Sequence, residues 1–210
     1  MKLNRPDSTL PFPNDHRYGW ITKKESELVE RLLGKIKSEF GKIRFLEIGV
    51  FGGCTMLGIT EWAENHDCQC YCEGVDIGHK PNFVPEGYVY HQGDSDLVVK
   101  DVTGSFNLLW IDACHCQKCS MSDFLNYSPL VEEGGYCLFH DTAGHGDDNV
   151  QGAFKQDHSH RNEPHQVLGV RKGLRELGLD GGTRPGWKLV EEIKESEIMG
   201  MMVFQKIKVA

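Results

Sequence analysis

The stretch RFLEIGVFGG, Arg44–Gly53, runs from apolar residues through Glu47 and Ile48 into three glycines within five positions, Gly49, Gly52 and Gly53. It reads as a buried strand, a sharp turn and the start of a helix over Cys54–Glu64, with Met56, Ile59 and either Trp62 or Ala63 inward. Glycine lets a backbone turn tightly and lets a ligand approach it closely. An acid about twenty residues further on is the position from which such units hold a ribose, and Asp76 stands there, at the end of CYCEGVD.

The same alternation extends in both directions. Upstream, Thr22 and Glu25 form a T-x-x-E capping box with Ile21 ahead of it, and Leu28, Leu32, Ile36 and Phe40 then recur every fourth residue up to Gly41. This predicts a leading helix over 22–40 that covers one sheet face. Downstream, YVYHQGD, FNLLWID and GYCLFHD read as strands ending at Asp94, Asp112 and Asp141. Helices are expected around Leu97–Val102, Ser122–Leu130 and Pro164–Leu177, and WKLVEEI and MMVFQKIKV read as two closing strands. Strands alternating with helices imply an α/β fold, a mainly parallel sheet covered on both faces, with ligands outside the carboxyl ends of its strands. The row of strand-terminal acids is where chemistry is expected.

At 210 residues the chain fits one domain, since single domains commonly run from about 100 to 200 residues. The expected division is an N-terminal arm over 1–21, the leading helix, and an irregular His-, Asp- and Gly-rich loop over 143–163 at the active end, read either as a substrate lid or as a solvated loop. The arm either covers the site or packs at a homodimer contact. The formal net charge is −8 with both signs interspersed, which argues against a nucleic-acid partner. No signal-peptide core or run of about eighteen apolar residues is present, so no membrane span is expected and the location reads as cytoplasmic. Eight cysteines fit a reducing compartment. Cys68, Cys70 and Cys72 alternate along one strand, and Cys114, Cys116 and Cys119 resemble half a zinc knuckle but lack the second CxxC that structural zinc sites pair with the first. Cys68, Cys70 and Cys72 are expected to be small buried apolar residues.

The turn spacing is E-x-G-x-x-G-G rather than the G-x-G-x-x-G of dinucleotide folds, and no Y-x-x-x-K pair occurs. An NAD-dependent oxidoreductase is therefore the weaker reading. Glu47 suits a ligand that carries an ammonium and a sulfonium better than it suits a pyrophosphate.

Five motifs in order, EIGVFGG, GVDIG, GDSD, WIDACH and GGYCLFHDT, resemble the class I S-adenosylmethionine-dependent methyltransferases. The likeness is to small-molecule O-methyltransferases whose fourth strand ends in I-D-x-x-H, a group similar to catechol-type, macrolide-sugar and cephalosporin-cluster enzymes. It spans about Phe45 to Ile207. The resemblance implies a Rossmann-like seven-stranded sheet with an antiparallel last strand, and methyl transfer from S-adenosylmethionine to a hydroxyl of a small molecule. It places Glu47, Gly49, Phe51 and Gly53 along the methionine part, Thr55 near its carboxylate, Asp76 at the ribose, and Asp94 with Ser95 at the adenine. Asp112 is expected beside the cofactor and also as a divalent-metal ligand, with His140 and Asp141 as the other two. His140 stands where relatives carry an acid, which either shifts the preference from magnesium towards manganese, iron or zinc or marks a site that holds no metal. His115 matches the histidine of I-D-x-x-H and is the expected general base. A chain that kept the fold as a binding protein and lost turnover is the rival of another class.

Overall fold

The computed structural model describes residues 21–78, 81, 85, 87–143, 169–194 and 200–209. Helix α1, Lys23–Phe40, begins at the expected capping box: the Glu25 backbone N–H donates to the Thr22 hydroxyl at 3.3 Å, and the Thr22 N–H donates to the Glu25 carboxylate at 2.7 Å. Leu28, Leu32 and Ile36 are buried, joined by Val29 and Leu33, and Gly41 ends the helix at φ 71°.

Strands β1 (Lys42–Ile48), β2 (Gln69–Asp76), β3 (Val89–Gln92), β4 (Phe106–Ile111), β5 (Val131–Phe139), β6 (Trp187–Ile193) and β7 (Met201–Lys206) form one sheet in the order β3-β2-β1-β4-β5-β7-β6. The first five are parallel, and β7 lies antiparallel between β5 and β6. This is the expected Rossmann-like α/β sheet. Side chains alternate between its faces, so Phe45, Leu108 and Leu138 pack with α1 and with α2 (Cys54–Asn65), whereas Leu46, Leu109 and Phe139 pack with α4 (Gln117–Tyr127) and α5 (Val170–Glu176). After β2 and β3 the chain returns to the other side of β1 with β4, which opens a crevice at the carboxyl ends of β1 and β4.

Several boundaries differ from the sequence reading. Strand β3 stops at Gln92, and Asp94 caps the short helix α3, Ser95–Val98, by accepting from the Asp96 N–H at 3.0 Å. Helix α4 starts five residues earlier than expected because the Cys116 thiol caps it, a role usually signalled by Ser, Thr, Asp or Asn. Strand β5 starts at Val131, and a register shift against β4 between Phe106 and Leu108 takes up the extra length. The loop expected over 143–163 lies outside the described residues from 144 on, as do residues 1–20 of the arm and the first part of the helix expected over Pro164–Leu177. No helix among the described residues is long and apolar enough to cross a membrane.

Candidate active site

The glycine turn does two jobs. A Cβ at Gly49, where φ is 95°, would lie 2.3 Å from the Asp112 carbonyl oxygen and 2.5 Å from the Ala113 Cα. The space at Gly49 is therefore taken by the protein's own backbone as it leaves β4, and that close approach seats Asp112 beside β1. At Gly52 the nearest atom to such a Cβ is the Cys54 sulfur at 3.9 Å, which leaves room on that side. Gly53 takes φ 80° as the cap of α2.

Between them Phe51 adopts φ 45° with its ring 81 % exposed, a left-handed conformation that costs about 1–3 kcal/mol for a residue with a side chain. Its N–H donates to Asp76 at 2.8 Å, and the Gly78 N–H donates to the other Asp76 oxygen at 2.7 Å. Asp76 is thereby fixed at the mouth of the crevice. Strain at a position so exposed is the kind of feature that a ligand site retains.

Glu47 is 1 % exposed, and one of its carboxylate oxygens has no hydrogen-bond partner among the described residues. Burial raises its pKa well above the usual carboxylate range; the hydrogen bond with Thr55 opposes this, and the charges of Asp112 and Asp76 add to it. Thr55 thus supports Glu47 directly. A cation set against Glu47 would supply the missing interaction.

The chain then folds two more strand ends onto this point. The Asp112 N–H donates to the Ile48 carbonyl at 2.9 Å and the His140 N–H to the Ile111 carbonyl at 3.2 Å, so the tips of β1, β4 and β5 are stitched in sequence. His115 Nε2 lies 2.8 Å from an Asp141 carboxylate oxygen and 3.9 Å from one of Asp112. His140 Nδ1 lies 3.4 Å from Asp112 and 3.5 Å from Asp141. Asp141 has φ 54°, a second strained residue at the same place.

The electrostatics follow from this packing. Burial alone would lower the pKa of His115, but hydrogen bonds with Asp112 and Asp141 and their charges raise it to about 9. The same balance raises His140 well above the ordinary value, with the charges of Asp112 and Asp141 outweighing burial. Both carboxyls are held below their usual range: burial pushes them up, and the charge of His140 with bonds from the two imidazoles pulls them down further.

The expected metal set was Asp112, His140 and Asp141. The side chains whose ligand atoms all lie within 4.8 Å of one another are Asp112, His115 and Asp141, with His140 the most buried of the group at 4 % exposure. Two carboxylates and an imidazole suit manganese, iron or zinc. Glu25 was missed as a site residue. Its carboxylate, fully buried, lies 3.7 Å from His140 Nε2, although the capping box gave it a complete role at the start of α1. Asp94 and Ser95 carry structural contacts: beyond the cap at Asp94, the Ser95 hydroxyl donates to Asp123 at 2.6 Å and its carbonyl accepts from Tyr127 at 2.7 Å.

None of the eight cysteines is in a disulfide. Cys68 and Cys72 are buried as expected and Cys70 is half-buried; of the others, Cys116, Cys119 and Cys137 are buried and Cys54 and Cys114 half-buried. The spacing did not reveal that the turn into α4 brings the thiols of Cys114, Cys116 and Cys119 within 4.8 Å of one another.

Residues 46–142 match the family model described as a methyltransferase domain. No curated protein matches the chain. Among solved structures it is similar to a Staphylococcus aureus protein assigned as a caffeoyl-CoA O-methyltransferase, with a TM-score of 0.64 and 16 % identity over 89 % of this chain and 84 % of that one. It is also similar to the O-methyltransferase NovP, with a TM-score of 0.61 and 12 % identity over 91 % of this chain and 83 % of that one. The mycinamycin-pathway methyltransferase MycE, crystallised with Mg, SAH and mycinamycin VI, gives a TM-score of 0.57 and 18 % identity over 90 % of this chain, which spans about half of that enzyme's length, 51 %. The matched residues 46–142 carry the glycine turn with Asp76, Asp112 and Asp141, and the sheet has the Rossmann-like fold that these solved methyltransferases share.

Proposed function

We propose that this protein is an S-adenosylmethionine-dependent O-methyltransferase that acts on a hydroxyl of a small molecule, with a divalent cation held by Asp112 and Asp141 beside His115. The observation that carries the reading is Glu47, a buried acid with an unpartnered oxygen, set beside a histidine–carboxylate cluster at the ends of three adjacent strands. The cofactor supplies an electrophilic methyl group, and a divalent ion lowers the pKa of an acceptor hydroxyl.

The chain's own residues supply the rest. Glu47 offers a negative charge to the ammonium of the methionine part, and Asp76, fixed by two backbone N–H groups, offers acceptor oxygens to the ribose hydroxyls. Gly49, Phe51, Gly53 and Thr55 shape the turn around that part, and Asp94 with Ser95 borders the adenine end. His115 takes the acceptor's proton. Asp141 orients that ring, and a cation held by Asp112 and Asp141 favours the neutral, proton-accepting imidazole. A small-molecule acceptor is also supported by the similarity in fold to NovP and MycE.

Calorimetry with S-adenosylmethionine, its demethylated product and NAD tests the reading. Micromolar-range binding of the first two is expected, an order of magnitude taken from typical substrate constants. Binding of NAD in their place would overturn it, and cofactor binding with no turnover across a broad hydroxyl panel would favour a non-catalytic binding protein.

A further inference from the structure

We infer that Cys114, Cys116 and Cys119 form a binding site for a thiophilic divalent cation of the zinc class, distinct from the neighbouring acid and histidine cluster. The three sulfurs already lie within 4.8 Å of one another. A tetrahedral ion with bonds of about 2.3 Å to sulfur sets thiolates roughly 3.8 Å apart, so occupancy needs only a small contraction. Cys114 lies in the link after β4, Cys116 caps α4 and Cys119 sits in the helix's first turn. That geometry gives the cluster a second feature of thiolate sites: the Cys119 backbone N–H donates to the Cys116 sulfur at 3.2 Å, at the positive end of an eleven-residue helix.

The burial pattern fits an ion with one open position. Cys116 and Cys119 are 1 % and 3 % exposed, and Cys114 is half-buried, which leaves a fourth position for water or another ligand. Three thiols so close together resist ionisation on their own: bonding to Cys116 and Cys119, with burial, pushes the Cys114 thiol upward. Each thiol that binds the ion releases its proton to solvent and donates an electron pair, with no change of oxidation state. His115 stands between two of the three ligands in the chain, so occupancy would also hold the segment that carries it.

The test is a cobalt(II) titration of the reduced, chelator-stripped full chain. A thiolate-to-cobalt charge-transfer band is expected, displaced by zinc, retained in Asp141→Ala and lost in Cys116→Ser and Cys119→Ser. Should the serine variants fail to fold, alkylation of the unaltered protein read by mass spectrometry serves instead, and zinc is expected to protect these three cysteines. Absence of the band at saturating cobalt, its persistence in folded serine variants, or alkylation that zinc does not slow would overturn the site.

Discussion

The Nε2 of His115 lies 2.8 Å from the carboxylate of Asp141, joining the link after β4 to the tip of β5. Neither residue is near the other in sequence, and each changes the other's proton affinity. His115 rises to about 9, from an ordinary 6.5, because bonds and charge from Asp112 and Asp141 outweigh the effect of burial. A basic group whose folded pKa exceeds its unfolded one stabilises the fold fully below the unfolded value and loses that contribution as pH rises through the folded value. The metal- and ligand-free protein should therefore lose stability between pH 6.5 and about 9, on the order of 1–3 kcal/mol. Thermal denaturation at fixed ionic strength measures this. A flat profile over that interval, or one unchanged by His115→Gln, would remove the ion pair from the account.

The base and the ligands should separate by mutation. His115→Ala is expected to lower turnover by ~100- to 10,000-fold, as for a lost acid-base group, with cofactor affinity nearly intact. Turnover within a few-fold of the unaltered protein, at saturating metal and across pH, would make His115 structural.

Chelation should suppress activity, and manganese or another nitrogen-tolerant ion should restore it at least as well as magnesium, because an imidazole lies among the carboxylates. Asp141→Ala should weaken manganese binding, followed directly by electron paramagnetic resonance. Full activity after exhaustive chelation would exclude the ion.

Glu47 gives a prediction with opposite signs in two measurements. Its burial raises its pKa, and one of its oxygens is unpartnered, so its ionised form works against the ligand-free fold. Glu47→Gln should raise the melting temperature of the ligand-free protein while weakening S-adenosylmethionine binding. Calorimetry and thermal melts read the two effects, and unchanged cofactor affinity would detach Glu47 from the ligand.

Gly49→Ala tests the close approach of two strands. The added methyl would meet the Asp112–Ala113 backbone at 2.3–2.5 Å in a conformation unfavourable to side chains. A destabilisation of roughly 2–4 kcal/mol is expected by denaturant unfolding, with loss of metal binding as Asp112 is displaced. Near-neutral stability would mean that the β4 link moves aside freely.

The elements of this protein were legible locally. The capping box fixes the start of α1, apolar periodicity marks the strands and helices, and the glycines after Ile48 announce the turn, because each signal is written within a few residues of the structure it specifies. The acids at or just past the ends of β1, β2, β4 and β5 were legible too, since strand ends in such a sheet share one edge. Contacts between distant segments were decided by the tertiary structure. That Gly49 yields to the β4 backbone, that Glu25 reaches His140, that Ser95 is engaged by Asp123, and that His115 rather than His140 closes on Asp141 all depend on sheet order and register. Side-chain spacing along the chain carries no information about which strand lies beside which. Even over six residues, the meeting of Cys114, Cys116 and Cys119 depends on where the chain turns into α4, and that turn is capped by a cysteine whose type gives no such signal.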